Sequence, residues 1–548
     1  MAPAPVAAVP PAPSATESAS QPNFVLIVTD DQKWDTIGRC SPELDPYDFH
    51  AGADACMPNV QSLLQSAGIT FLHGNVTQSL CCPSRASILT GQYSTTHGVT
   101  YNNGSLLDDS STIATWLQAA GYRNALMGKY LNGYGYGPFS GYIPPGWDTW
   151  EVYHDFHNSD DPYTDYPWIS WQAGDEEPLI TRFNNADSTS GEACAVGNYY
   201  STDYVCRLAL DFLQEDTQTP FFLDLNPASP HLPINVEDRH VGAFQGINIP
   251  HYPSTNVLPS PNTPSHLPTT DLPDRVLDRI ERTMTNSIEM TLSVDDMVGA
   301  LHDQLASDGR LDNTVWIFIS DNGMANGEQH WRNKGCEYYT CHQVPYVVVC
   351  PPNVCPGATP GSVNSDDYVL NIDIAPTLAD LAGATPTIGV EGMSLVPLLN
   401  DPQTTWRDEW FIHGNDPFYD GIVGIGTDGD WYKYVDLTEA GEFEMYNLND
   451  DPWEIVNLWD NGDYAAVQAD LAARLAAHLG APPPNVPPTA HFSASCTDLD
   501  CTFTDGSSDS DGSVVGWDWD FGDGGTSSVQ SPSHSFAGGG TYSVSLTV

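Results

Sequence analysis

A short segment of the chain combines the residue types that hold an oxyanion. Its sequence is Cys81-Cys82-Pro83-Ser84-Arg85-Ala86-Ser87-Ile88-Leu89-Thr90-Gly91. Pro83 favours the first turn of a helix, because the N–H that proline lacks has no partner there in any case. Residue 81 then lies at the positive end of that helix, where sulfate and phosphate groups bind. Arg85 lies one turn further on and can hold an anionic oxygen by a forked hydrogen bond. The alternative is a buried cysteine pair that only caps a helix.

Oxygen-bearing side chains follow two apolar segments that are typical of buried parallel strands. Asp30 and Asp31 follow residues 24–28, and Asp321 and Asn322 follow residues 314–320. Open α/β sheets bind ligands at the carboxyl ends of such strands. An all-oxygen set suits a hard cation, Ca²⁺ or Mg²⁺, better than zinc. Turns or helix caps are the alternative role for the aspartates.

The segment at Cys81 reads C-x-P-S-R-x-x-x-L-T-G, which resembles the signature of the type I sulfatases. The resemblance extends from about Asn23 to Gly480. It implies that an oxidase, the formylglycine-generating enzyme, converts Cys81 to formylglycine. It also implies one bound divalent cation, Ca²⁺ ahead of Mg²⁺. The implied metal ligands are Asp30, Asp31, Cys81, Asp321 and Asn322.

The same resemblance assigns further catalytic groups. Lys129 matches a Gly-Lys segment of the family, His231 lies in a Pro-His-x-Pro element, and Lys334 opens a K-x-x-x-Y segment. The chain has very few lysines, and two of them fall at these positions. Without the resemblance, a lone lysine would be expected in solvent and an isolated histidine in a structural role. The implied catalytic set is Cys81, Arg85, Lys129, His231 and Lys334.

Formylglycine at position 81 has a clear chemical logic for sulfate esters. Its hydrate offers two geminal hydroxyls, one to attack sulfur and one to lose a proton and expel sulfate. Covalent catalysis of this kind splits one difficult step into two easier ones. Asp321 is expected to help remove the proton of the attacking hydroxyl. His231 or Lys334 is expected to protonate the leaving alcohol.

The chain departs from the family pattern at three positions. Leu131 stands where many relatives carry histidine, and Tyr339 and Gln343 stand where glutamate and arginine are usual. The Leu-Asn variant resembles the N-acetylglucosamine-6-sulfatases. Asn132 and His97 are the candidates for the missing base, although a turn role before Gly98 is the stronger interpretation of His97. The aromatic residues of 146–171 either stack on sugar rings or pack the sheet.

Three functions remain open at this point. The first is hydrolysis of a sulfuric ester, most directly a carbohydrate sulfate. The second is hydrolysis of a phosphodiester or phosphonate monoester with the same machinery, since both tetrahedral anions fit one pocket. The third is a non-catalytic protein that binds sulfated glycans, which would follow if Cys81 stays unconverted.

The charge of the chain limits the classes of molecule that it can bind. Asp and Glu number 71 against 17 Lys and Arg, which gives a formal net charge of −54. Nucleic acid is excluded as a partner, because phosphate contacts need basic side chains. The overall field also repels a polyanionic substrate, although salt screens such a field within about 10 Å at 0.1 M. A saline habitat or a general solubility device would each explain the acidity.

The cysteines predict a compartment outside the cytoplasm, secreted, periplasmic or at the cell surface. Proximity suggests five pairs and leaves Cys81 and Cys82 unpaired, although sequence alone does not fix connectivity. No apolar run of about 20 residues predicts a membrane span. The Pro/Ala/Ser-rich start has no basic region of a signal peptide. The suggested pairs are Cys40–Cys56, Cys194–Cys206, Cys336–Cys341, Cys350–Cys355 and Cys496–Cys501.

The elements around these residues predict an α/β fold. The resemblance implies an alkaline-phosphatase-like mixed sheet between helices over 23–480, with a small antiparallel subdomain from about 408 to 480. A long helix from Asp274 to about Ala306 is expected to be broken. Residues 1–22 are expected to form a disordered Pro/Ala-rich segment, and residues 481–488 a stiff proline-rich linker. The motif Trp517–Gly524 and alternating strands predict an immunoglobulin-like PKD sandwich over 489–548.

Overall fold

A computed structural model gives the fold of the chain. The described residues divide into two compact units between Gln468 and Ala469. The predicted segment 1–22, except its last two residues, and the predicted linker 481–488 lie outside the described residues. The described residues are 21–38, 56–135, 141–154, 161–247, 249, 251–415, 417–437, 440–480, 490–508, 514 and 516–548.

The first unit is built on a ten-stranded mixed sheet, which confirms the predicted fold class. The strands up to residue 370 are β1 (Asn23–Thr29), β2 (Ile69–Asn75), β3 (Arg123–Gly128), β4 (Thr149–Tyr153), β5 (Asp165–Gln172), β6 (Leu179–Asn184), β7 (Phe221–Asn226), β8 (Thr314–Ser320), β9 (Ala325–Asn326), β10 (Arg332–Asn333), β11 (Tyr346–Val349) and β12 (Ser362–Leu370). The sheet has the order β12-β2-β11-β8-β1-β7-β3-β4-β5-β6, and β9 and β10 form a separate pair.

The central strands are apolar and buried because a hydrophobic core covers each face of the sheet. β1 lies between β7 and β8 and runs parallel to both. All residues of β1 and β8 are buried. Thr29 pairs with Ser320, so the two strands end level with each other. The residues that follow them therefore reach the same edge of the sheet.

The longest helix of the described residues differs from its prediction. The α-helices are α1 (Cys81–Thr90), α2 (Ser94–His97), α3 (Ile113–Ala119), α4 (Ser201–Glu215), α5 (Asp274–Ser307), α6 (Tyr339–His342), α7 (Ile374–Ala382), α8 (Val396–Asn400) and α9 (Ala465–His478). α5 is one continuous helix of 34 residues, so the expected break is wrong. Gly299 does not interrupt α5 but allows close packing, since a Cβ there would lie 2.9 Å from the Asn59 amide nitrogen. The Asp295 carboxylate accepts the backbone N–H groups of Asn59 and Val60 at 3.0 and 2.8 Å.

The predicted antiparallel subdomain is a four-stranded sheet in the order β13-β14-β15-β16. Its strands are β13 (Glu409–Asn415), β14 (Phe418–Ile425), β15 (Trp431–Leu437) and β16 (Glu442–Asn447). The second unit contains two three-stranded antiparallel sheets around Trp519, Phe503 and Phe521, which confirms the predicted sandwich. Their strands are β17 (Phe492–Thr497), β18 (Asp500–Asp505), β19 (Asp518–Asp520), β20 (Thr526–Ser527), β21 (Ser533–Ser535) and β22 (Ser545–Thr547).

Four of the five suggested disulfides are present, and both cysteines of the oxyanion segment are free and buried. Cys40 lies outside the described residues, so its pairing with Cys56 stays a prediction. No helix among the described residues is both long and apolar enough to cross a bilayer. The observed disulfides are Cys194–Cys206, Cys336–Cys341, Cys350–Cys355 and Cys496–Cys501.

The buried carboxyl of Glu151 on β4 predicts a pH-dependent stability. Burial raises its pKa from 4.5 to about 7, although Ser170 and Trp168 each donate a hydrogen bond to it at 2.7 Å. The folded state therefore holds this proton more tightly than the unfolded state, and stability falls as pH rises from 4.5 towards 7. Glu151→Gln should remove a destabilisation of about 3 kcal/mol above that range. The melting temperature of the variant minus that of the parent should rise from pH 5.5 to pH 8.5, and an unchanged difference would contradict the prediction.

Candidate active site

The oxygen donors predicted from the sequence meet where β1 and β8 end. Asp31 has a left-handed backbone conformation, with φ of 64°, which turns the chain back over the sheet edge. Its backbone N–H donates to Asp321 Oδ1 at 3.1 Å. The Asn322 side-chain amide donates to Asp31 Oδ1 at 2.8 Å. All of these residues are buried, together with Asp30.

α1 brings Cys81 to this edge as its first residue. The helix is buried along its whole length and ends at Gly91, whose φ of 69° suits glycine. Cys81 Sγ lies 3.7 Å from Asp30 Oδ1 and 2.8 Å from Lys334 Nζ. Burial raises the pKa of the Cys81 thiol to about 12, so the unmodified thiol is a weak nucleophile. Cys82 lies apart from this group, and its thiol is hydrogen-bonded by the Asn132 backbone.

Each of the three positively charged side chains predicted for the site pairs with a carboxylate. Lys129 Nζ lies 2.5 Å from Asp30 Oδ2, and Lys334 Nζ lies 2.5 Å from Asp31 Oδ1. Arg85 Nε lies 2.8 Å from Asp321 Oδ2. Burial disfavours the Lys334 ammonium, but Asp31 and Cys81 outweigh it and hold its pKa well above the usual range. Pairing of this kind is what allows so many charges to be buried together.

Two buried polar atoms in this group have no hydrogen-bond partner within the described chain. One is the acceptor Asn322 Oδ1 and the other is the donor Arg85 Nη2. A buried polar group left in this state costs about 1–3 kcal/mol. Asn322 Oδ1 lies among carboxylates and can accept a cation. Arg85 Nη2 belongs to a buried guanidinium and can donate to an anion. The residues present therefore fit both a hard cation and an oxyanion.

His231 joins the site from the loop after β7. Its Nε2 lies 3.7 Å from Asp31 Oδ2, while its Nδ1 lies 2.5 Å from the Leu232 carbonyl and donates to it. The Tyr163 hydroxyl contacts the His231 carbonyl at 2.5 Å and fixes the loop. Ligand atoms of four of these side chains lie within 4.8 Å of one another and can hold a metal ion. They belong to Asp30, Asp31, Cys81 and His231.

One site residue was missed by the sequence reasoning. Asn226, the last residue of β7, accepts a hydrogen bond from Arg85 Nη1 at 2.6 Å and is held by Asp224 at 2.7 Å. The available signal was its position at the end of a buried strand beside β1, the same signal that identified Asp30. The sequence had linked Arg85 only to the anion, whereas the structure also anchors it to this strand.

The ring of His97 forms its hydrogen bonds with neighbouring residues of the chain. Its Nε2 hydrogen-bonds to Ser87 on α1 at 3.0 Å, and its Nδ1 accepts the Val99 N–H at 3.1 Å. Both ring nitrogens are thus used by the local fold, which supports the structural interpretation. The described part of the aromatic stretch packs the sheet, because Trp147, Trp150 and Trp168 are buried.

A cavity of about 530 Å³ opens beside Asp31. Its walls come from the His231 loop, the first turns of α5 and the β9–β10 pair. Cavities of this volume hold small ligands. The fold and the site together define an α/β protein whose residues at the carboxyl edge of the sheet fit a cation and an oxyanion.

Comparison with known proteins agrees with this class. The sulfatase family model matches residues 22–384, a model of the C-terminal region of N-sulphoglucosamine sulphohydrolase matches 327–479, and a PKD model matches 484–548. The first match covers more than half of the chain. The chain therefore belongs to the sulfatase family, a family of sulfuric ester hydrolases.

Two curated relatives show how far the likeness extends. A Drosophila melanogaster extracellular sulfatase homolog is 28% identical over 71% of this chain and 32% of the relative. The human N-acetylglucosamine-6-sulfatase is 29% identical over 72% of this chain and 67% of the relative. The chain thus spans about a third of the first relative and two thirds of the second.

Solved structures share the fold at lower identity. A protein in complex with its substrate D-glucosamine-2-N,6-O-disulfate has a TM-score of 0.67 and 23% identity, over 84% of this chain and 98% of the other. The phosphonate monoester hydrolase of Agrobacterium radiobacter has a TM-score of 0.61 and 22% identity, over 84% and 95%. A protein bound to a disulfated sugar and a phosphonate monoester hydrolase therefore share this fold.

Proposed function

We propose that this protein hydrolyses sulfate esters of carbohydrates with residue 81 as the nucleophile position. The observation that carries the proposal is the setting of Cys81 at the start of α1. Its Sγ lies 2.8 Å from Lys334 Nζ and 3.7 Å from Asp30 Oδ1. One residue is thus within reach of both the cationic groups that attract sulfate and the oxygens that fit a cation.

Two groups supplied after synthesis complete this site. Conversion of Cys81 to formylglycine supplies an aldehyde hydrate, which is an oxygen nucleophile. A divalent cation, Ca²⁺ ahead of Mg²⁺, supplies charge neutralisation and a template for the sulfate oxygens. The residues that would hold the cation are Asp30, Asp31, Asp321, Asn322 and residue 81.

The other residues of the site bind the sulfate and move protons. Arg85 directs its unpartnered Nη2 to a sulfate oxygen, and Lys129 and Lys334 add charge beside the nucleophile position. His231 or Lys334 protonates the leaving alcohol at the edge of the cavity. Asp321 is already engaged by Arg85 and by the Asp31 N–H. We therefore assign it to positioning these groups and to holding the cation rather than to proton removal, the role expected from the sequence.

The substrate class and the compartment follow from the relatives and the disulfides. The human relative is named N-acetylglucosamine-6-sulfatase, and the Leu131-Asn132 pair resembles that type of sulfatase, so an amino-sugar sulfate is the proposed substrate. Disulfides favour a compartment outside the cytoplasm, as does the word extracellular in the name of the fly relative. A formylglycine-generating enzyme is the proposed partner in maturation.

The experiment that tests this function compares two esters of the same leaving group. The kcat/KM for p-nitrophenyl sulfate should exceed that for a p-nitrophenyl phosphonate monoester by about 10²-fold or more. The reverse ratio would favour hydrolysis of phosphonate monoesters. This alternative is considered because a phosphonate monoester hydrolase shares the fold. If neither ester is turned over and intact-protein mass shows that Cys81 is unconverted, the result would favour a non-catalytic protein that binds sulfated glycans.

The C-terminal sandwich is proposed to be dispensable for chemistry. Every residue assigned to the site precedes residue 335, and the PKD match begins only at 484. Stopping the chain after Gly480 should leave kcat on p-nitrophenyl sulfate within about twofold. Turnover of a polymeric sulfated glycan should fall if the sandwich raises the local substrate concentration. A large loss of kcat from a truncated chain that circular dichroism shows to be folded would contradict this assignment.

A further inference from the structure

Four exposed arginines in the described part of the chain form no ion pair. This is unexpected in a protein with 71 acidic and 17 basic residues, where carboxylates are available almost everywhere. Each of the other described lysines and arginines pairs with a carboxylate. The four are Arg275, Arg279, Arg282 and Arg332.

These arginines come from two neighbouring parts of the structure. Three of them lie on the first turns of α5 at spacings of four and three residues, which places them along one side of the helix. Like charges at a spacing of four destabilise a helix, so helix stability does not explain them. Arg332 lies on β10, two residues before Lys334.

Arg279 and Arg332 border the 530 Å³ cavity that opens beside Asp31. Asp31 is the only carboxylate among the described residues that line it, and Lys334 already pairs with Asp31. The acidic residues of the same helical turns are absent from this lining. Those acids are Asp274, Asp278 and Glu281. The described lining of the cavity therefore presents two free guanidinium groups and no free carboxylate.

We propose that Arg279 and Arg332 bind a second sulfate group of the same substrate molecule. The inference rests on the proposed function and deepens it, since it makes the preferred substrate a multiply sulfated glycan rather than a singly sulfated sugar. Guanidinium groups bind sulfate oxygens by charge-assisted, forked hydrogen bonds. A local cluster of cations also explains how a protein of net charge −54 accepts a polyanion, because salt screens the distant acidic groups.

Binding to the full-length Cys81→Ala protein, which is expected not to turn over a sulfate ester, tests this assignment. Sucrose octasulfate is the multiply sulfated probe and glucose 6-sulfate the singly sulfated one, both titrated by calorimetry at about 0.15 M salt, where distant charges are screened. Arg279→Ala with Arg332→Ala should raise the Kd for sucrose octasulfate about tenfold or more, from the loss of two charge-assisted contacts. The Kd for glucose 6-sulfate should change less than about twofold, since Arg85 and the lysines still hold its sulfate.

A matched double variant distinguishes the loss of a specific sulfate site from a general loss of positive charge. Arg182→Ala with Arg474→Ala also removes two positive charges, from ion pairs with Asp165 and Asp470. Equal effects of the two double variants on sucrose octasulfate would overturn the proposal, as would failure of the octasulfate to bind the parent. Turnover of p-nitrophenyl sulfate by the protein with Cys81 intact tests the proposed function separately, so either idea can fail alone.

Discussion

Replacing Cys81 with alanine is expected to abolish turnover of p-nitrophenyl sulfate while the protein stays folded. The alanine removes the thiol at the start of α1 that lies 2.8 Å from Lys334 Nζ and 3.7 Å from Asp30 Oδ1. The loss should exceed about 10³-fold, because a step that needs a covalent nucleophile has no substitute in the site. The measurement is kcat, with circular dichroism as the test of folding.

Cys82→Ala is the matched control for this prediction. Cys82 is equally buried and adjacent in sequence, but its thiol faces the Asn132 backbone. The variant should therefore retain most of its activity. Intact-protein mass adds an independent measure, since conversion of Cys81 to formylglycine lowers the mass by about 18 Da. Full activity of Cys81→Ala, or loss of that mass change in Cys82→Ala but not in Cys81→Ala, would show that the nucleophile is misassigned.

Much of the site was predictable because its residues stand at recognisable positions in the sequence. Asp30 and Asp321 each follow an apolar strand, and parallel neighbours that end level must bring such residues together. Cys81 and Arg85 are spaced by one turn of a helix whose start the proline indicates. These inferences depend only on residues that are close together in the sequence. The resemblance to the sulfatases added Lys129 and Lys334.

What the sequence did not reveal depends on contacts between distant segments. The role of Asn226 in holding Arg85 exists only because β7 lies beside β1. The close packing at Gly299 of α5 involves Asn59, which lies 240 residues away in the chain. The arginine-lined cavity requires α5 and β10 to lie side by side. No periodicity or motif encodes such relations.

Asp31→Asn is expected to remove the bound divalent cation and to lower kcat/KM on p-nitrophenyl sulfate by about 10³-fold or more. Asp31 is central to the donor set, since its carboxylate contacts Lys334 and the Asn322 amide and lies 3.7 Å from His231. An amide keeps the size of the side chain but removes the negative charge that a hard cation needs. Elemental analysis of the purified protein should show about one Ca²⁺ or Mg²⁺ per chain in the parent and far less in the variant.

Two further measurements make this metal prediction decisive. Asp420→Asn is the control for replacing a buried aspartate, because Asp420 pairs with His413 in the small sheet and not with any site residue. It should keep both the cation and the activity. Chelation of the parent should lower kcat/KM to a similar extent as Asp31→Asn, and added Ca²⁺ or Mg²⁺ should restore the chelated parent but not the variant. A full equivalent of metal in Asp31→Asn would place the cation elsewhere, and normal activity after chelation would mean that the buried Lys129 and Lys334 alone neutralise the sulfate.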